Sequence, residues 1–237
     1  MKDYTWQARS LERHYNSHGQ IESKKQEVWE TLILEGQPYR RMLERDGKPL
    51  NSDERSAEQK KLDREVDKLS KETPQQKQHR LEDAEKQRKQ EFAFVSEIPA
   101  LFNLHLEGEG TVDGHPVWIV SGTPKSGAKP KGHDAAVLLK VRGRLWIDKV
   151  TYQWVKVEGE TIGVISWGVF LARLNPGAKL IFEQTQVSSD VWLPKRLFMT
   201  GSGRVALLKH LIEDQEIQWS NYRKFSVDSK IVGDQMP

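Results

Sequence analysis

Seven histidines, His14, His18, His79, His105, His115, His133 and His210, are the side chains in this sequence most able to ligate zinc or move a proton near neutral pH. Only His14 and His18 stand i, i+4, across the turn residues Asn16-Ser17, and no HExxH run occurs, so a zinc hydrolase has no ligand set, and each reads as a surface or turn histidine. Glu107 and Glu109 stand two apart, which on a strand puts both carboxylates on one face as an acid/base pair. They sit beside Gly108 and Gly110 near a turn, where water keeps both ionised. Gly122 to Lys129 resembles a phosphate loop in outline only, because Ala128 stands where the lysine is needed and Pro130 obstructs the helix that must follow. Gly201, Gly203 and Ala206 match the dinucleotide fingerprint in letters. Only 31 residues remain beyond it and no acid lies about 20 residues on until Asp228, so a glycine turn between two strands is expected instead. There is no GxSxG elbow. Absence of cysteine removes thiol catalysis, disulfides, thiolate metal sites and cysteine acylation. The expectation is a protein that is not an enzyme, with no catalytic residues, no metal and no cofactor.

The elements that carry these residues form one domain spanning 1–237 at 27.4 kDa. Hydrophobic residues make up 36% and charged residues 30%, and no apolar run approaches the roughly 20 residues of a membrane-spanning helix. Residues 4–45 read as three long antiparallel strands broken at Asn16 to Gly19 and Glu35 to Pro38, with a further turn at Asp46 to Pro49. Composition then changes. Residues 51–91 hold eleven Lys/Arg and eleven Asp/Glu with no glycine, and they open on a capping box, Asn51 with Glu54; a second N-terminus follows at Thr73-Pro74-Gln75-Gln76. This helical insertion, 51–96, has narrow apolar stripes: Leu62, Val66, Leu69, then Leu81, Ala84, then Phe92, Val95. Its bases are cancelled by its acids and the whole chain carries a net charge of only +3, so nucleic acid is not an expected partner.

From Phe102 strands resume, with a hairpin signal at Val112-Asp113-Gly114-His115 and a short apolar helix at Ala135 to Lys140. Strands follow at 142–148, 152–158, 161–171, 178–187, 191–200 and 204–214, with 215–227 closing the set; 204–215 also fits a helix stripe through Val205, Leu208 and Ile212. The fold class is α+β, mainly β. Trp118 is flanked by Val117 and Ile119 on the opposite face, and a similar two-faced pattern recurs at Leu180-Ile181-Phe182, Val191-Trp192-Leu193 and Trp167 to Leu171. Such strands are expected to be covered on both faces or to enclose something apolar, which leaves core packing and an aromatic-lined cavity as alternatives.

The run Gly143-Arg144-Leu145-Trp146-Ile147-Asp148, then Thr151 and Trp154 to Glu158, resembles the G-x-[IL]-W-I-D hairpin of outer-membrane lipoprotein-sorting proteins of the LolA/LolB-like superfamily. Trp192-Leu193-Pro194 and the closing Asn221 to Asp228 are similar to later strands of that family, and Gly36 to Arg40 with Asp46 to Leu50 look like uncharacterised secreted bacterial relatives. The likeness lies mainly in 100–232. It implies an open, curved antiparallel sheet, a half β-barrel of about eleven strands, with a helical lid over an apolar concave face. It also implies residence in the periplasm, with the signal peptide expected to lie outside this sequence. The lid here, 51–91, is longer and more charged than the family's.

The expected function is therefore a non-enzymatic carrier or binder of lipid, lipoprotein acyl chains or another hydrophobic ligand. Expected cavity residues are Trp118, Trp146, Trp154, Trp167, Phe170, Phe182 and Trp192, some of which alternation must turn outward; the lid residues are Leu62, Val66, Leu69, Leu81 and Phe92. The runner-up is a cell-envelope scaffold with a filled core, whose charged helical arm contacts a protein partner. A third class is a hydrolase of envelope glycans or esters, which lacks its constellation.

Overall fold

The computed structural model describes residues 4–91, 93–167, 172–205 and 209–224. The chain runs β1 (Tyr4–Tyr15), β2 (Ile21–Leu34), β3 (Gln37–Arg45), β4 (Lys48–Pro49), α1 (Ser52–Ser70) and α2 (Pro74–Glu91). A 3-10 turn (Ala93–Glu97) leads to α3 (Ile98–Leu101), β5 (Phe102–Val112), β6 (His115–Pro124), α4 (His133–Leu138), β7 (Val141–Asp148) and β8 (Trp154–Thr161). Then come β9 (Ile165–Trp167), β10 (Ala172–Leu174), β11 (Lys179–Ser188), β12 (Val191–Val205) and β13 (Lys209–Lys224). They form one 13-stranded sheet in the order β4-β3-β2-β1-β13-β12-β11-β8-β7-β6-β5, with β10 on β12 and β9 on β10. The sheet is not closed: β4 and β5 are its two edges.

Local chemistry explains the turns. Glu35-Gly36, Asp46-Gly47 and Asp113-Gly114 place both central residues at positive φ (46° and 81°, 52° and 77°, 48° and 85°), the twist that two-residue hairpins require. Both helix starts match their expected caps. Asn51 N–H donates to Glu54 Oε2 at 3.0 Å and Glu54 N–H to Asn51 Oδ1 at 2.9 Å. Thr73 N–H reaches Gln76 Oε1 at 2.9 Å and Gln76 N–H reaches Thr73 Oγ1 at 3.2 Å.

The topology gives the helices their task. They join β4 to β5, which are consecutive in the chain but at opposite edges of the sheet. Ten strand spacings separate those edges along the sheet, about 48 Å. With 19 and 18 residues, α1 and α2 are about 28 and 27 Å long, enough to strap the mouth of a curved sheet. At the β5 end a small core gathers Leu101, Phe102 and Ala135, with Phe94, Ile98, Leu138 and Leu139 packed around it.

Three expectations change. Gly201 and Gly203 lie inside β12 and make no turn. A Cβ on Gly203 would stand 2.2 Å from the Arg173 carbonyl oxygen, and one on Gly201 would stand 2.7 Å from Ala178 Cβ, so these glycines permit β10 and the 175–178 turn to lie against β12. The expected strand 161–171 is interrupted: Thr161 Oγ1 donates to Asn175 O at 2.8 Å and accepts from Ala178 N–H at 2.9 Å, ending β8 before the chain bends into β9. Finally, the segments 191–200, 204–214 and 215–227 are two long strands, since β12 pairs with β13 from Arg196↔Gln218 to Val205↔Lys209; the helix alternative does not form there. Residues 206–208, Phe170 and Phe92 lie outside the described residues.

Candidate functional site

The antiparallel register sorts side chains by face, because directly opposed residues point the same way. One cross-strand row reads Leu106↔Val120↔Leu145↔Val157↔Phe182↔Leu197↔Ile217, apolar across seven successive strands, β5 to β13. The neighbouring row on the opposite face reads Lys156↔Glu183↔Arg196↔Gln218↔Arg9. The sheet thus has an apolar face and a charged face.

The two-faced strands, expected either to be covered on both faces or to enclose something apolar, have one charged face. Its outward rings are roofed by cations: Lys156 Nζ lies 4.6 Å and Arg144 5.8 Å from the Trp146 ring, and Arg196 lies 5.4 Å from Phe198. Ion pairs knit the rest, including Arg196 with Glu216 at 2.6 Å and Arg13 with Asp214 at 2.7 Å. The Arg196 guanidinium holds the Glu216 carboxyl below the usual range, with burial opposing it. Bulges shift the parity within β8, at Val155, and within β12, at Lys195, so Trp154 and Val157 share one face although three apart, as do Pro194 and Leu197.

On the apolar face the row widens into aromatics. Trp154 and Phe182 have ring centroids 5.3 Å apart, Phe182 and Trp219 6.5 Å, and Trp118 packs on Tyr152 at 5.7 Å. Trp219 opposes Ala8, which opposes Trp29. Trp29, Thr31 and Ile33 are buried beneath the β3 side at 7, 2 and 7% exposure. Leu106 is 58% exposed at the other end, and the six remaining row residues are only half-buried. The main helix–sheet contacts among the described elements fall at the margins, α1 on β3, α3 on β5 and α4 on β7.

Of the expected cavity residues, Trp118, Trp154 and Phe182 share this face and Trp146 lies on the other. Trp192 sits at its end, where its Nε1–H donates to Thr151 Oγ1 at 3.1 Å and its ring meets His115 edge-on at 4.8 Å. Thr151 is itself held by Asp148, whose Oδ1 accepts from Val150 N–H, Thr151 N–H and Thr151 Oγ1–H at 3.1, 2.6 and 2.7 Å. Burial pushes the Asp148 carboxyl up, and these bonds more than reverse it, leaving it below the ordinary value. Of Trp167 only the backbone is described, and Phe170 lies outside. Sequence reasoning missed Trp219 and Trp29; the alternation Ile217, Trp219 between polar residues was the available signal for the first.

The lid docks differently from its expected apolar stripe. Leu69 is buried and Leu62 half-buried, but Val66 is 45% exposed. Glu54, Glu58 and Glu65 share the inward stripe of α1. They meet Arg45 at 2.9 Å, the Met42 N–H at 3.3 Å and Gln37 Nε2 at 3.4 Å, so α1 accepts donors of β3, which β4 pairs only at Glu44 and Arg45. Leu81 of α2 packs against Gly36, where an added Cβ would approach its Cδ2 to 3.1 Å. Arg80 donates to both Glu72 oxygens (2.8 and 2.7 Å), to Gln37 Oε1 (3.1 Å) and to the Glu35 carbonyl (3.4 Å). Glu107 and Glu109 form no acid pair: a bulge at Leu106/Gly108 separates them, and they bind Arg144 and Lys149.

No family model matches the chain, and no curated protein does. Solved structures do. An outer membrane lipoprotein-sorting protein domain from Vibrio parahaemolyticus is 10% identical, covering 98% of this chain and 88% of that one at a TM-score of 0.37. A LolA superfamily protein from Nitrosomonas europaea is 10% identical over 94% of this chain and 86% of its own, with a TM-score of 0.31. A DUF1329 family protein from Desulfovibrio piger is 13% identical over 96% and 87%, with a TM-score of 0.30. Function follows from this chain's own geometry. That geometry, an open antiparallel sheet with helices joining its edges, is the architecture implied by the resemblance in residues 100–232. No helix among the described residues is long and apolar enough to cross a membrane.

Proposed function

We propose that the protein is a non-enzymatic binder of a hydrophobic ligand, a lipid or lipoprotein acyl chain, which lies on the apolar face of the sheet. The observation that carries this is the row Leu106, Val120, Leu145, Val157, Phe182, Leu197, Ile217, which runs about 29 Å across six strand spacings without being packed to full burial. Burying about sixteen methylenes at roughly 0.8 kcal/mol each yields about 13 kcal/mol before the entropic costs of binding, so an apolar face can hold such a chain with little polar chemistry. The helices that strap the edges of the sheet shield part of this face from water, which limits the association that a large exposed apolar patch invites. Residence in the periplasm belongs to this reading through the sequence resemblance. Titration with a fluorescent fatty acid, together with mass spectrometry of copurified lipid, tests it: saturable binding lost in Phe182→Glu supports it, and neither binding nor a copurified lipid overturns it in favour of a scaffold.

A further inference from the structure

The charged face is not uniform. At the end of the sheet formed by the tips of β2, β1, β13 and β12, Ile21 opposes Tyr15 and Tyr15 opposes Ile212, giving an apolar row on the face opposite the apolar cavity face. Ile21 is 56% and Ile212 42% exposed. Cations surround this row on the same face: Arg13 opposes Lys24 one pair further along, and Arg204 on β12 follows Ser202, which opposes Ile212. The acid among them, Asp214, is buried at 8% exposure and engaged by Arg13 Nε at 2.7 Å and by Tyr15 O–H at 2.6 Å. On the reverse face of the same strand ends Glu12 and Glu213 flank His14 at 2.8 and 3.3 Å, and Glu12 opposes Lys25. Among the described residues of this tip, the exposed isoleucines lie on the face of Arg13, Lys24 and Arg204.

We propose that this tip is a docking surface for a membrane bearing anionic phospholipid headgroups. Lys24, Arg13 and Arg204 meet the phosphates, while Ile21 and Ile212 enter the headgroup layer, and the apolar ring of Tyr15, whose hydroxyl is held by Asp214, lies between them. Charge complementarity selects an anionic partner. Exposed isoleucines set among the cations select a bilayer over a soluble polyanion, which offers nothing apolar to them. The proposal stands on this face alone and does not depend on what the opposite face binds.

Flotation of the full chain with vesicles of phosphatidylcholine alone, and of phosphatidylcholine with phosphatidylglycerol, tests it. Binding to the anionic vesicles and not the neutral ones is expected, falling with added salt. Lys24→Glu and Arg204→Glu should each weaken it at least roughly fivefold, and Ile21→Ser with Ile212→Ser should weaken it at unchanged net charge. These side chains are surface-exposed apart from Arg13, which is left in place, and circular dichroism verifies that the variants fold. Equal binding to neutral vesicles, no vesicle binding, or anionic binding indifferent to the isoleucine changes overturns the proposal. So does retention by a soluble polyanion such as heparin without vesicle binding. Fatty-acid titration of the same variants separates this surface from the ligand site, because they should bind the fluorescent fatty acid as the unaltered chain does.

Discussion

Single atoms hold the far end of the apolar face in place. Asp148 is 1% exposed, its Oδ1 takes three hydrogen bonds, and its Oδ2 faces only His115 Nδ1, 3.6 Å away. Asp148→Ala strands the Val150 and Thr151 donors and should cost about 3 kcal/mol in denaturant unfolding; Asp148→Asn keeps an acceptor at Oδ1 and should cost markedly less. Equal losses for the two would show that the carboxylate charge, not the acceptor, matters. Because the turn positions Thr151 under Trp192, the alanine variant should also shift tryptophan emission. Gly203 poses a different constraint. Its φ is unremarkable for any residue, and what excludes a side chain is the Arg173 carbonyl 2.2 Å from where Cβ would be, a backbone atom that cannot swing aside. Gly203→Ala should destabilise by about 2 kcal/mol or more. The letters around Gly203 were legible, but the crossing strand that explains it is β10, some thirty residues earlier, and no local rule reports it.

The strap shows which element properties a sequence displays and which it conceals. Caps and two-residue turns were readable because their partners lie within three residues: Asn51 with Glu54, Thr73 with Gln76, Asp113 with Gly114. The docking face of α1 was not, because Glu54, Glu58 and Glu65 look solvated until Arg45, the Met42 N–H and Gln37 are brought opposite them from β3. Val66, apolar and at helical spacing, faces water instead. The strap should accordingly respond to acid. Arg80 draws the Glu72 carboxyl below its ordinary value, and at Glu58 the bonds from Lys61 and Met42 outweigh burial to the same effect. Carboxyls lowered in the folded state stabilise above their unfolded pKa of about 4.3, and that contribution is lost as pH falls through the folded value. Limited proteolysis of 52–91 should therefore be flat from pH 8 to 5 and rise below about pH 4. Arg80→Ala should raise it at neutral pH several-fold with little change in the unfolding midpoint of the sheet, since Arg80 joins α2 to Glu72, Gln37 and the β2–β3 turn and to no sheet strand beyond them. A rise in cleavage that tracked a falling midpoint would mean the strap is part of the core.

At the scale of the molecule, strand after strand read as apolar on both sides because the cations that roof Trp146 and Phe198 arrive from the same or neighbouring strands, and because bulges at Val155 and Lys195 change parity within β8 and β12. Once those are in place the sheet divides into a charged face and a greasy one, and the greasy one is where the proposed ligand would lie. Binding there must stabilise the folded chain by mass action, since the row exists only when seven strands are in register. A hydrophobic ligand at about a hundredfold its dissociation constant adds about 2.7 kcal/mol, which for a chain of this size raises the thermal midpoint by roughly 5 to 10 °C. Substitution should divide the faces. Val157→Glu or Leu197→Glu, in the row, should abolish the shift; Trp146→Glu, under its roof of Lys156 and Arg144 on the other face, should lower the starting midpoint yet leave the ligand-induced rise intact. A rise lost equally in all three would place the ligand elsewhere, because a cost to folding alone cannot distinguish the faces and only the difference between liganded and free midpoints does.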